Sequence, residues 1–228
     1  MRIGVFLIAT GKYDVFLQPL VDSLDRYFFR HDKLTIYLFA DKEHLPKKPD
    51  RIEIINIPIE HEPFPLCTLH RYNHFASIAD DVNCEYLFYL DVDMLVVSNV
   101  GREILGDIVC VTHPGFYKGG WGSLNCSKDS LAYLPPELCH DYKAGGFQGG
   151  SKRSYLELCQ LLSERIEMDE NSGVMAQWHD ETHFNWYLKT MVKNYKVLTP
   201  SYCYPESWKI PFQRKILALD KNHNAIRN

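Results

Sequence analysis

Apolar runs and segments of helical periodicity alternate along the chain. Five short runs are typical of buried β-strands, and they span residues 3–9, 34–39, 52–57, 86–90 and 108–112. The spacing of apolar residues elsewhere predicts helices over about 14–29, 66–79, 152–168 and 179–195. Strands that alternate with helices in this way predict an α/β fold with a mainly parallel sheet.

The pattern changes between about residues 113 and 150, where glycine and aromatic residues dominate. Four glycines fall within the stretch from Ala144 to Gly150 alone. Such a stretch lets the backbone approach a ligand closely, so we expect a loop-rich second half. The chain shows no internal repeat and no linker, and a single domain over residues 1–228 is therefore expected.

Composition narrows the class of protein. Hydrophobic residues make up 46% and charged residues 24% of the chain, which is ordinary for a globular domain. The net charge of −4 disfavours nucleic acid as a partner. The first apolar run is too short to cross a bilayer, so a soluble, cytoplasmic protein without a membrane span is expected. Seven cysteines, an odd number without C-x-x-C pairs, argue against a disulfide framework.

The most informative motif is Asp91-Val92-Asp93, at the exit of the apolar run 86–90. Residues i and i+2 of a strand point to the same side, so the two carboxylates would lie roughly 7 Å apart along the chain. Carboxylates placed together repel each other unless a cation lies beside them. Magnesium- and manganese-type ions bridge protein carboxylates to phosphates, so the motif predicts a site for a metal and a diphosphate. The alternative is an ordinary turn or strand-end cap.

A set of ordered motifs extends over nearly the whole chain and resembles glycosyltransferase family 6. This is the family of the histo-blood-group A and B transferases and the α-1,3-galactosyltransferases. The motifs that carry the resemblance are Gly11–Tyr13, Tyr86–Asp93, His113–Tyr117, Ala132–Pro135, Gly145–Gly150, Trp178–Glu181 with Asn185, and Lys221–Asn228. The chain is similar to a short, bacterial or phage-like member that lacks the tail, membrane anchor and stem of animal relatives.

The resemblance implies a fold and a reaction. The expected fold is GT-A, with a nucleotide-binding half over about residues 1–112 and a loop-rich acceptor-binding and catalytic half over about 113–228. The expected reaction moves N-acetylgalactosamine or galactose from a UDP-sugar to the 3-hydroxyl of a galactose-terminated oligosaccharide, which carries fucose in some cases. The α configuration is retained. The implied cofactor is Mn²⁺ or another divalent cation, bound by Asp91 and Asp93.

The same resemblance assigns roles to individual residues. It implies contacts with the UDP-sugar donor by Ile8, Thr10, Tyr13, Arg71, Asp91, Val92, Asp93, Ala144, Gly145, Gly146, Lys221 and Arg227. It implies contacts with the acceptor by His113, Trp178 and Glu181, and Glu181 is also the candidate nucleophile. Residues 144–146 border the donor sugar in this interpretation. Their small side chains leave room for an N-acetyl group, which favours UDP-N-acetylgalactosamine over UDP-galactose.

Glu181 suits a reaction that leaves a positively charged, oxocarbenium-like sugar, because a carboxylate can stabilise that charge or form a covalent adduct. Asp180 precedes it, and a helix turns neighbouring side chains apart by about 100°, so only one of the two is expected to face a given cleft. The simpler interpretation of Glu181 is an acid favoured by the helix dipole in a first turn.

The sequence leaves two other functions open. A nucleotidyltransferase has a similar α/β half, although residues 9–12 are a poor version of its phosphate-binding loop. A non-catalytic sugar-binding module would keep the fold without the reaction. The segments Trp121–Leu131 and Tyr204–Trp208 depart from the pattern of many relatives, and both lie where the acceptor is expected, so the acceptor stays open.

Overall fold

A large mixed sheet forms the centre of the molecule. The computed structural model describes residues 1–42, 45–120 and 127–227, without the side chain of Arg227. Its strands are β1 Arg2–Ala9, β2 Lys33–Ala40, β3 Ile52–Pro58, β4 Tyr86–Leu90, β5 Met94–Val96, β6 Ile108–Thr112, β7 Lys143–Ser151, β8 Lys196–Leu198, β9 Tyr204–Pro205 and β10 Ile216–Ala218.

Within the described residues, seven strands join in the order β3-β2-β1-β4-β7-β6-β8, and β5, β10 and β9 form a small second sheet. Only β7 runs antiparallel to its neighbours in the large sheet. This arrangement confirms the predicted α/β class with a mainly parallel sheet.

The helices differ from their predicted bounds in ways that the sequence explains. They are α1 Leu17–Tyr27, α2 Leu66–Leu69, α3 Arg71–Ser77, α4 Lys152–Asn171, α5 His179–Thr190 and α6 His223–Arg227. A 3₁₀ turn over Gly11–Phe16 precedes α1, which leaves Pro19 in the first helical turn, where proline is tolerated. The segment predicted as one helix over 66–79 is interrupted at His70. Among the described helices, none is both long and apolar enough to cross a membrane.

Helices cover both faces of the sheet, which accounts for the unbroken apolar runs. In β1, Val5 and Leu7 pack into a core cluster on the face of α1, while Phe6 packs into a second cluster on the face of α3 and α4. All three side chains are fully buried. The same alternation in β4 sends Tyr89 towards the α3 and α4 face.

Strand β7 was predicted as a glycine-rich loop, and this prediction was wrong. It pairs with β4 on one side and β6 on the other. A Cβ atom on Gly149 would lie 2.3 Å from the carbonyl oxygen of Leu87, and one on Gly150 would lie 2.0 Å from that of Asp107. The neighbouring backbones therefore require glycine, which hides the alternating pattern by which a strand is recognised.

Candidate active site

A cleft of about 140 Å³, partly open to solvent, lies where β1 and β4 end. Parallel sheets of this kind bind ligands beyond the carboxyl ends of their strands. Eight residues predicted to contact the donor line the cleft, namely Ile8, Thr10, Tyr13, Arg71, Asp91, Val92, Asp93 and Lys221. Residues from four distant parts of the sequence thus meet in one place.

Other residues of the wall were not predicted. They are His61, Glu62, Phe64, Cys67, Thr68, Tyr89 and Ile226. His61 lies within hydrogen-bonding distance of Thr10, with 3.1 Å between Nδ1 and Oγ1. The loop and helix around residues 61–68 carry no motif of their own. Only the packing of α2 and α3 against the sheet brings them to the cleft.

The Asp91 carboxylate is held by two neighbouring side chains. Its Oδ1 accepts a hydrogen bond from the Tyr89 hydroxyl and lies 3.5 Å from Nη2 of Arg71. The backbone contributes as well, because Asp91 N–H donates to the carbonyl oxygen of Gly146 at 2.9 Å. Asp91 is therefore fixed relative to both β4 and β7.

Asp93 faces a lysine from the C-terminal tail. Its Oδ2 forms an ion pair with Nζ of Lys221, and both side chains are largely buried. Lys12 anchors the tail further along, because its Nζ donates to the carbonyl oxygen of Ala225 at 3.0 Å. The side chain of Arg227, predicted to contact the donor, lies outside the described residues.

The two aspartates fit a hard divalent cation. Both offer carboxylate oxygens to the same cleft, and Asp93 already binds a positive charge there, the Lys221 ammonium. No described group brings three or more His, Cys, Asp or Glu side chains together as metal ligands. A cation at this pair would therefore take further oxygens from the substrate and from water.

Arg71, predicted to contact the donor, lies largely under the floor of the cleft. Only 4% of the residue is exposed, and its guanidinium donates to the carbonyl oxygens of Thr68 and Gly145 at 3.1 and 3.2 Å. Its Nε also lies 3.2 Å from Oδ2 of Asp180. Burial alone would lower the pKa of Arg71, but Asp180, Tyr89 and Asp91 together outweigh burial, and the pKa is raised well above its usual value. The residue therefore remains a fixed cation.

Glu181 is partly buried, and protein donors satisfy both of its carboxylate oxygens. The Tyr142 hydroxyl donates to Oε1, and the Gly145 N–H donates to Oε2 at 2.6 Å. Burial raises the pKa of Glu181 to about 7, although these two hydrogen bonds lower it. Burial likewise raises the pKa of Asp180 to about 6, against the attraction of Arg71.

Asp180 and Glu181 were expected to face different ways, yet both reach the same glycine. A Cβ atom on Gly145 would lie 3.2 Å from Oε2 of Glu181 and 3.4 Å from Oδ2 of Asp180. Because glycine has no side chain, the first turn of α5 can approach β7 closely enough for both carboxylates to flank it.

An irregularity in β7 makes this approach possible. Cys110 of β6 pairs with Gln148, but the next residue, Val111, pairs with Ala144, so residues 145–147 have no partner in β6. Bulges of this kind often re-aim backbone groups beside active sites. Here the bulge frees the N–H of Gly145 for Glu181.

Residues 144–146, which were predicted to border the donor sugar, differ in their surroundings. Ala144 is buried in the core cluster on the α1 face. A Cβ atom on Gly146 would lie 2.7 Å from Oδ2 of Asp91 and 2.9 Å from Cε of Met94. Gly146 therefore borders the acidic motif, and Gly145 borders the two α5 carboxylates.

The residues predicted to contact the acceptor lie outside the walls of the donor cleft. Nδ1 of His113 accepts a hydrogen bond from the Gly115 N–H at 3.0 Å, and its ring lies 5.4 Å from that of Tyr142. Burial lowers the pKa of His113 to about 4, so the imidazole is neutral and carries its proton on Nε2. Trp178 precedes α5 and leaves 48% of its surface exposed.

Comparison with known proteins agrees with this architecture. The family model described as glycosyltransferase family 6 matches residues 1–228. The chain is 32% identical to histo-blood group ABO system transferase 1 of Rattus norvegicus, over 99% of this chain and 68% of that protein. It is 29% identical to globoside alpha-1,3-N-acetylgalactosaminyltransferase 1 of Homo sapiens, over 100% of this chain and 69% of that protein.

A bacterial relative matches over nearly its full length. The chain is 26% identical to the O-antigen biosynthesis glycosyltransferase WbnI of Escherichia coli, over 99% of this chain and 97% of that protein. The chain therefore belongs to glycosyltransferase family 6, as its motifs predicted, and its mixed sheet is consistent with the GT-A fold.

Proposed function

We propose that this family member transfers N-acetylgalactosamine, or galactose, from a UDP-sugar to the 3-hydroxyl of a galactose-terminated acceptor, with retention of the α configuration. The observation that carries the proposal is one juxtaposition. Asp91, the first carboxylate after β4, lies against Gly146, and the partly buried Glu181 lies against the neighbouring Gly145. Family membership supports glycosyl transfer, and the arrangement of these carboxylates supports a UDP-sugar donor and a catalytic role for Glu181.

The donor is assigned to the cleft at the ends of β1 and β4. Ile8, Thr10 and Tyr13 would bind the uridine, with Val92 in the wall beside them. Asp91 and Asp93 would hold Mn²⁺ or a similar cation, which when bound stabilises the negative charge of the departing diphosphate. Lys221 would exchange Asp93 for a phosphate oxygen and keep a positive charge beside the leaving group, and Arg227 would support it.

Glu181 is the proposed catalytic residue. A carboxylate across from the diphosphate can form a covalent glycosyl adduct, and two successive inversions then give retention. It can instead stabilise the charge of the sugar while the acceptor attacks from the side of the leaving group. Glu181 serves either route only as the anion, so transfer should require its deprotonation.

The proposed donor is UDP-N-acetylgalactosamine. The family resemblance supports this choice, because it puts the short side chains of residues 144–146 beside the donor sugar, where they favour the N-acetyl group at its 2-position. The name of the human relative, a globoside alpha-1,3-N-acetylgalactosaminyltransferase, agrees with this choice. Ala144 would act through the position of β7, because its own side chain is buried in the core.

The acceptor is assigned to the exposed side of α5. The indole of Trp178 would pack on the apolar face of a galactose ring, and the N–H at Nε2 of His113 would donate to one of its hydroxyls. The resemblance supports a galactoside with or without fucose.

The deciding experiment offers UDP-N-acetylgalactosamine and UDP-galactose with plain and fucosylated galactosides, in the presence of Mn²⁺ or of a chelator. We expect transfer of N-acetylgalactosamine, an α-linked product by NMR, and loss of transfer in chelator. Asp93→Asn and Glu181→Gln should each lower kcat by at least about 100-fold. Full activity in chelator would show that the acidic pair is not a catalytic metal site.

The same reaction mixtures distinguish the other functions. A nucleotidyltransferase would release pyrophosphate when it is given a nucleoside triphosphate and a sugar phosphate. A non-catalytic sugar-binding module would bind UDP-sugars without turnover, and Glu181→Gln would leave that binding unchanged.

A further inference from the structure

Tyr142 forms a hydrogen bond that neither the family motifs nor the sequence pattern anticipates. Its hydroxyl donates to Oε1 of Glu181, while the Gly145 N–H donates to Oε2. Gly145 belongs to β7, and Tyr142 lies three residues earlier, immediately before that strand begins. One short segment at the start of β7 therefore donates to both oxygens of the same carboxylate.

The packing around the Tyr142 ring fixes the direction of its hydroxyl. The ring makes edge-on contacts with His113 and Phe116, with centroids 5.4 Å away in each case. It also belongs to a small buried cluster with Leu134 and Cys139. A ring held on several sides cannot turn away without disturbing these neighbours.

We infer that Tyr142 is a positioning residue for Glu181, and that it holds the carboxylate in one orientation so that the oxygens need not reorient as the sugar reacts. The inference rests on the proposed function, which gives Glu181 its catalytic role. Preorganised donors of this kind are effective because they require no rearrangement at the moment of reaction.

The acidic groups that face Glu181 make the hydrogen bond from Tyr142 important. Asp180, its neighbour in α5, and Asp91, beyond β4, are both acidic and raise the pKa of Glu181, in addition to burial. Cys203, from the segment before β9, interacts with Glu181 as a buried thiol. Arg71 lies close to Asp180 and Asp91 and partly offsets them.

Tyr142 itself stays a donor throughout the working range of pH. Burial, followed by the charge of Glu181, raises the pKa of Tyr142, so its hydroxyl keeps its proton. A group that cannot ionise here offers Glu181 the same hydrogen bond whether the solution is mildly acidic or mildly basic.

The test is Tyr142→Phe, which removes one oxygen and keeps the ring. We expect kcat for sugar transfer to fall about 10- to 100-fold, with the KM for the UDP-sugar changed by less than about threefold. The matched control is Tyr155→Phe, because that hydroxyl lies on α4 and is buried without a hydrogen-bond partner among the described residues. The control should keep wild-type kcat.

A second readout does not depend on activity. The carboxyl carbon of Glu181 can be followed by NMR in protein labelled at glutamate, and the resonance is assigned by its loss in Glu181→Gln. Removal of the donor should move the titration of Glu181 about one pH unit higher in Tyr142→Phe, and leave it unchanged in Tyr155→Phe.

The outcomes separate the two claims. A Tyr142→Phe protein with wild-type kcat and an unmoved Glu181 titration overturns the positioning role and leaves the transfer reaction intact. Absence of transfer by the wild-type protein with every UDP-sugar overturns the proposed function instead. In that case the NMR titration still decides whether Tyr142 governs Glu181.

Discussion

Arg71 and Asp180 form a buried ion pair, with 3.2 Å between Nε and Oδ2. Arg71 also approaches Asp91, so one guanidinium joins the acidic motif after β4 to the first turn of α5. Its planar head stacks over the ring of Tyr89, 4.4 Å from the centroid. The two halves of the candidate site are therefore linked through a cation that the protein supplies itself.

Replacing Arg71 should destabilise the fold. Arg71→Met keeps the apolar stem but leaves Asp180 buried without its partner, and we expect a loss of roughly 3–5 kcal/mol of unfolding free energy at pH 8. The loss should shrink as the pH falls from 8 towards about 6, because Asp180 without Arg71 has a still higher pKa and binds a proton in the variant first, and it should stay constant below about 6, where Asp180 is protonated in both proteins. Denaturant unfolding of both proteins at a series of pH values from 8 downwards measures the loss.

The control for that experiment is Arg153→Met. Arg153 forms an ion pair with Glu157 on an exposed face of α4, and its side chain is 88% exposed. Exposed pairs of this kind contribute little, so this variant should unfold as the wild type does. An equal loss of unfolding free energy in both variants would mean that the buried Arg71–Asp180 pair contributes no more to stability than an exposed pair.

The free energy of unfolding should depend on pH because of Glu181. Its pKa is raised in the folded state from 4.5 to about 7, so the folded protein holds this proton more tightly than the unfolded chain. The resulting destabilisation is absent below about pH 4.5, grows as the pH rises, and is complete above about 7. A difference of this size corresponds to about 3 kcal/mol.

The measurement compares Glu181→Gln with the wild type from pH 4.5 to 8. The variant should gain about 3 kcal/mol relative to the wild type over this interval, whatever constant offset the substitution adds. Transfer by the wild type should rise with pH through about 7, as the anion forms. Glu157→Gln, on an exposed helix face, is the control and should follow the wild type in both respects. A stability difference between Glu181→Gln and the wild type that does not change with pH would contradict the raised pKa of Glu181 in the folded protein.

Gly146 should tolerate no side chain. A Cβ atom there would press on Asp91 and Met94, so Gly146→Ala must displace the acidic motif. Because a misplacement of about 1 Å can lower a rate about 100-fold, we expect at least a tenfold loss of kcat/KM with both UDP-sugars. Gly101→Ala is the control, since its Cβ would make only an ordinary contact of 3.6 Å with Glu103. A loss confined to UDP-N-acetylgalactosamine would instead indicate a direct contact with the N-acetyl group.

Lys221 should compete with a metal for Asp93. Without the ammonium, the carboxylate loses its internal partner, so Lys221→Met should bind Mn²⁺ about tenfold more tightly in the absence of nucleotide. The same variant should bind UDP more weakly, because a cation beside the diphosphate is lost. Isothermal titration with Mn²⁺ alone, then with UDP, measures both effects. The control is Lys209→Met, at an exposed position, which should change neither the Mn²⁺ affinity nor the UDP affinity. An unchanged Mn²⁺ affinity in Lys221→Met would show that the ion pair with Asp93 does not block the metal site.

The sequence by itself determined the fold class and the centre of the site. Strands buried on both faces appear as apolar runs in the sequence, and this made β1, β2, β4 and β6 visible, while the edge strand β3 was visible from its isoleucines. The acidic motif follows one of these runs, and the family motifs indicated which distant residues would join it. Eight of these residues meet in one cleft. Their roles in catalysis and binding stay predictions.

Only the tertiary structure decided how the carboxylates are held. Strand β7 carries glycines because two neighbouring backbones approach it, and a glycine-rich segment has no periodicity to reveal a strand. Tyr142 lies outside the motifs, and the motif that contains Asp180 assigned that residue no role. Each of the two contacts joins residues more than 35 positions apart. Hydrogen-bond geometry depends on the bulge in β7 and on the approach of α5. A linear pattern records which side chains are apolar or charged, but it does not record which of them end within 3 Å of each other.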